Sequence, residues 1–198
     1  MRAMTRQLFA AGTVLALAGL LTGCGTITVP IPVNLGSNSN FNVEAGQPQS
    51  KTITSTGFDT GGVTLGQGSL TINPSAISVD EATAKLLQDG ECNQACEAAG
   101  LPDATCTSVC TEGNLLISVA VGTLAESGTV CDTGDQYGPF TVTIDADGNA
   151  TNVSPNSVTL QTKTLGALNA GEASFCVEVV SPVTGVVVVG SLQLNAGL

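Results

Sequence analysis

From Asn40 onward the chain is a succession of short runs rich in Val, Ile and Thr, interrupted at close intervals by Gly, Asn, Asp and Pro. β-Branched side chains pack well on a pleated surface and the interrupting residues make turns, so this pattern confines the chain to short strands. The candidate strands are residues 41–44, 51–56, 69–73, 115–121, 139–145, 157–161, 173–180 and 185–194. In "PFTVTIDADGNATNVSPNSVTL" two strands flank a turn supplied by Asp147-Gly148. The run "GVVVVGSLQL" is almost continuously apolar and predicts one strand, buried on both faces or central in a sandwich. Many short strands with frequent turns imply a mainly β chain, an antiparallel β-sandwich. It is not a true immunoglobulin domain, because the chain has no Trp to fill that core.

The first 23 residues have a different layout. Arg2 and Arg6 open a stretch with no acid, residues 8–21 are apolar or small, and Thr22 and Gly23 close it. A basic start, a short apolar middle and a small-residue end define a secretory signal peptide. The apolar run is too short, and too rich in glycine, to span the hydrocarbon core. Leu21-Thr22-Gly23-Cys24 resembles the lipobox of bacterial lipoproteins. That resemblance covers residues 1–24 and implies that Cys24 carries a diacylglyceryl group and becomes the first residue of the mature chain. It also implies an envelope location. Gly25, where an aspartate retains enteric lipoproteins at the inner membrane, favours the outer one. The membrane is then the partner, reached through lipidated Cys24, and several acyl chains make such attachment stable where one does not.

Cysteine parity leads to the same compartment independently. The chain has seven cysteines, an odd number for an exported protein. Setting Cys24 aside leaves Cys92, Cys96, Cys106, Cys110, Cys131 and Cys176, which can pair fully where disulfides persist.

Residues 79–113 break the β pattern. "DEATAKLLQDG" reads as a helix ended by Gly90, and "ECNQACEAAG" as a second with Gly100 and Pro102 as stops. "DATCTSVCTEG" reads as a third, capped by Asp103 and stopped by Gly113. Cys92 with Cys96, and Cys106 with Cys110, fall at i, i+4 on one helix face. The short connection between the inner cysteines calls for an antiparallel hairpin, hence Cys96–Cys106 and Cys92–Cys110 rungs. Four such cysteines could also hold zinc or an iron–sulfur cluster, but export favours disulfides. Their spacing is similar to the twin Cys-x3-Cys hairpins of small mitochondrial proteins, a similarity that implies no shared function. Cys131 and Cys176 then pair by elimination. The hairpin is an acidic projection, a candidate partner-facing surface.

The expected organisation is a removed signal peptide over 1–23, a lipidated tether over 24–37 and one β-sandwich domain over 38–198 with its helical insertion at about 79–113. Within the tether, "TITVPIPV" alternates like a strand, but Pro30 and Pro32 donate no ladder bonds. It is therefore an edge strand or an extended tether, and the tether is preferred.

Composition removes most chemistries. The mature chain keeps all sixteen acids and only Lys51, Lys85 and Lys163, a formal charge of 3 − 16 = −13. That sign repels nucleic-acid phosphates. With no His there is no Ser-His-Asp or Cys-His pair and no His-ligated zinc. No Arg remains to fork onto a carboxylate or phosphate ligand. "DADGN" at 145–149 starts like a calcium loop, but its glycine comes too early and no Glu follows at the twelfth position, so it reads as a turn. Tyr137 in "DTGDQYGPF" reads as an incidental aromatic in an exposed loop. No cofactor and no metal is expected. The functional expectation is a non-catalytic binding or structural module of the envelope, with an envelope protein or glycan as partner. The alternative is a glycosidase-like hydrolase working with carboxylates alone.

Overall fold

The computed structural model describes residues 28–56, 64–88, 98, 100 and 114–197. Among these the protein is mainly β, with antiparallel pairing throughout and few helices. The strands are β1 (Thr28–Asn34), β2 (Asn40–Val43), β3 (Gln49–Thr56), β4 (Gln67–Thr71), β5 (Ile77–Val79) and β6 (Asn114–Gly122). They continue as β7 (Asp135–Ile144), β8 (Ala150–Ser154), β9 (Ser157–Thr159), β10 (Glu172–Val180), β11 (Gly185–Val189) and β12 (Ser191–Gly197). Among the described residues the α-helices accompanying them include α1 (Glu81–Gln88), α2 (Val130–Thr133) and α3 (Thr162–Asn169).

A five-stranded sheet runs β3-β10-β6-β7-β8, a four-stranded one β1-β12-β4-β9 and a three-stranded one β2-β11-β5. The two smaller sheets are limbs of one bent surface. β12 and β11 are separated only by Gly190, and their neighbours bend at the same place: β1 passes into β2 around residues 35–39, and β4 into β5 around residues 72–76. Backbone bonds hold this corner, with Leu35 N–H donating to Gly190 O (3.0 Å), Val189 N–H to Ser39 O (2.8 Å) and Gly190 N–H to Ala76 O (2.7 Å). The expectation of a single strand over 185–194 is thereby corrected. The apolar run is internal to both limbs, but adjacent strands switch sheets together, which is how sheet corners form.

Residues 28–34 are a second correction, since they are strand and not tether. β1 lies at a sheet edge and pairs with β12 from Thr28↔Gly197 to Asn34↔Ser191. Pro30 and Pro32 are two apart, so both missing donors can fall on the open side of the edge while Val33 is buried.

One hydrophobic cluster draws side chains from all three sheets, including Phe41 from β2, Leu70 from β4, Phe140 from β7 and Phe175 from β10. Period-two alternation sends Phe175 and Val177 into this core, and Cys176 between them to the opposite face of the sheet. There Cys176 packs with Ala120 and with Val130 of α2.

α1 is the first expected helical stretch. Its start is set by Asp80, whose Oδ1 accepts from Thr83 N–H at 2.7 Å, and it buries Thr83, Ala84 and Leu87. Apart from residues 98 and 100, the other two expected helices, with Cys92, Cys96, Cys106 and Cys110, lie outside the described residues, as do Cys24 and the leader. The β7–β8 turn forms as read. Asp145 Oδ1 accepts from Asp147 N–H (3.0 Å) and Asn149 N–H (2.8 Å), and Gly148 takes φ +82°. This turn docks on β5 through Val79 N–H to Gly148 O at 2.8 Å.

Candidate functional site

Two regions concentrate polar chemistry. The first lies where α2 and α3 meet the five-stranded sheet. Cys131 lies in α2 and is bonded to Cys176 on β10, with the two Cα atoms 5.1 Å apart. The bridge reached by elimination is thus formed, and it ties a helical turn to an interior strand of the five-stranded sheet. Lys163 on α3 pairs with Glu126 Oε1 at 2.6 Å and donates to Thr133 O at 2.7 Å. Glu126 also receives the Thr123 N–H (2.9 Å), completing a capping box.

Tyr137 belongs to this network, which corrects its reading as an exposed loop aromatic. It lies in β7 and is 4% exposed. Gln161 N–H donates to its hydroxyl (2.9 Å), and that hydroxyl is 2.6 Å from Thr164 Oγ1. Thr164 donates its own proton to Asp135 Oδ2 (2.9 Å), so the tyrosine must donate to Thr164. The chain of donors ends on a carboxylate. A buried tyrosine ring needs a partner for its polar tip, and α3 supplies it. The sequence signal was weak: Gly134, Gly138 and Pro139 look like loop, yet Gly138-Pro139 is absorbed by an irregularity of β-pairing between Ile117 and Val119.

Burial pushes the Tyr137 hydroxyl above its ordinary value, against the lowering effect of its bonds to Gln161 and Thr164. Glu126 is held below the usual carboxylate value, first by its hydrogen bond from Lys163 and then by the Thr123 N–H. A lowered carboxyl stabilises the fold above its unfolded pKa, and this is lost as pH falls from about 4.3 through the lower folded value. A raised tyrosine stabilises below about pH 10 and loses that contribution as pH rises beyond it. The denaturant midpoint should therefore fall at both extremes, with the acid limb smaller in Glu126→Gln and the alkaline limb smaller in Tyr137→Phe. Tyr137→Phe leaves Gln161 N–H without its acceptor and should cost about 1–2 kcal/mol at neutral pH, read by urea unfolding. An unchanged midpoint would show the hydroxyl to be energetically idle.

The second region is the outer face of the four-stranded sheet, where β1, β4, β9 and β12 contain no charged residue. Pro30, Asn195, Ser69 and Thr159 form one rung across it, and Thr28, Gly197 and Gln67 the next. Between these rungs lies a shallow groove of about 280 Å³. Side-chain bonds preorganise the amides beside it: Gln193 Nε2 donates to Asn195 Oδ1 (2.8 Å), and Asn195 Nδ2 to Thr71 Oγ1 (2.9 Å). Hydroxyls and amides of this kind can bind but supply no proton-transfer group. Among the described residues, no group of three or more His, Cys, Asp or Glu is placed to hold a metal ion.

Among the described residues, fold and sites define a disulfide-bonded, mainly β protein of antiparallel sheets. Compared with protein families and with curated proteins, the chain matches none. A solved structure titled Desmodium yellow mottle tymovirus aligns over 100% of this chain and 96% of its own, at 10% identity. Its TM-score of 0.24 is too low to carry an argument.

Proposed function

We propose that this protein is a lipid-anchored lipoprotein of the cell envelope, held to the outer membrane through Cys24, whose β domain is a non-catalytic binding or structural module. The observation that carries the reading is the leader ending at Leu21-Thr22-Gly23-Cys24 together with six remaining cysteines, of which Cys131 and Cys176 are bonded. The polar inventory suits a binding role. The groove is lined by neutral side chains, and Glu126 and Asp135 are engaged by Lys163 and Thr164. An envelope protein or glycan is the partner class such neutral groups suit. In this reading the sheets pack as an antiparallel sandwich around the shared core, and residues 79–113 add a helical hairpin with Cys96–Cys106 and Cys92–Cys110 rungs.

Mass spectrometry of the mature N-terminus tests the anchor. The expected result is a chain beginning at a diacylglyceryl-modified Cys24, with Cys24→Ala released from membranes. An unmodified chain beginning elsewhere would sink the proposal.

A further inference from the structure

Because β1 begins at Thr28, only 28 − 24 = 4 residue steps separate the proposed lipid site from the first hydrogen-bonded strand. Even fully extended, four steps reach about 14 Å. The anchor therefore holds one particular end of one sheet close to the bilayer. That end carries the Thr28, Gly197 and Gln67 rung, with the groove opening beside it. The opposite end of β1, at Asn34 paired with Ser191, lies six residues further on, about 20 Å along the strand.

Charge selects the same surface. A mature chain of net charge −13 is repelled by anionic headgroups. The four strands of this sheet carry no charge, while the five-stranded sheet bears Asp135, Glu172 and Glu178 against Lys51 alone, a net 1 − 3 = −2. Lipid reach and the lack of repulsive charge on this sheet thus point to one place. We propose that the Thr28 end of the four-stranded sheet faces the lipid headgroups, with its charge-free rung and groove against the bilayer and the acidic five-stranded sheet turned away. This rests on the lipoprotein reading above. It adds an orientation that lipidation alone does not impose.

The full chain, matured in a bacterial host and reconstituted in nanodiscs containing gadolinium-headgroup lipid, provides the test. Amide relaxation enhancement is expected to be strongest at Thr28, Gln67 and Gly197 and several-fold weaker at Asn34 and Ser191. The same gradient should appear in phosphatidylcholine discs and in discs containing phosphatidylglycerol. Intact mass is measured on the same sample, so the two ideas fail separately. A chain without lipid on Cys24 overturns both. A lipidated chain whose enhancement is uniform, peaks at other residues or disappears with phosphatidylglycerol overturns the orientation and leaves the anchor standing.

Discussion

The double substitution Cys131→Ala, Cys176→Ala is expected to lower the stability of the oxidised protein by about 4 kcal/mol. The bridge closes a loop of 45 residues, and the chain-entropy model assigns that constraint about 4 kcal/mol at 25 °C. For a chain of this size the loss corresponds to roughly 8–16 °C in Tm. Part of the effect is local, because Cys176 is 2% exposed and packs with Ala120 and Val130. The double variant is the right comparison, since a single substitution leaves a thiol able to attack other disulfides. Urea unfolding of the two oxidised proteins measures the difference, and coincident transitions would mean that the bridge adds nothing to folding.

Gly148→Val should be comparably damaging, on the order of 4 kcal/mol from a left-handed backbone combined with a forced overlap. Gly148 has φ +82°, and a Cβ there would lie 2.5 Å from the carbonyl oxygen of Val79. That oxygen is backbone, so relief requires moving the β7–β8 turn away from β5. The move would break the Val79 N–H to Gly148 O bond and the bridge between Ser78 and Asn149. Gly148→Asn separates the two effects, because asparagine tolerates the left-handed region but still brings a Cβ. Its stability is expected between wild type and Gly148→Val. Equal stability of all three proteins would refute the close approach.

Features encoded within a few residues were legible. Asp147-Gly148 announced its hairpin, and "DEATAKLLQDG" with its Gly90 stop announced α1. Cysteine parity led to the Cys131–Cys176 pair. α3 was missed for a physical reason: "TKTLGALN" contains two threonines and a glycine, all weak helix formers. Burial of Thr164, Ala167 and Leu168 stabilises it instead, and that burial depends on strands distant in sequence. Tyr137 was missed on similar grounds. Its loop-like neighbours became strand only because β6 accommodates Gly138-Pro139, and its buried hydroxyl finds partners only on α3 and the residue before it.

Sequence alone determined the β class, because alternation of apolar and polar side chains is a local property of a pleated strand. It also determined the chemistry on offer, since a chain without His and with sixteen acids carries those facts into any fold. Tertiary structure decided which strands became neighbours. Nothing local states that β1 pairs with β12, or that the chain turns a corner at Gly190 while β1/β2 and β4/β5 bend beside it. Such pairings join segments far apart in sequence and depend on which set of strands closes one common core. That choice turned the prolines of "TVPIPVN" from a tether into an edge strand. It thereby shortened the distance from Cys24 to the fold to four residue steps.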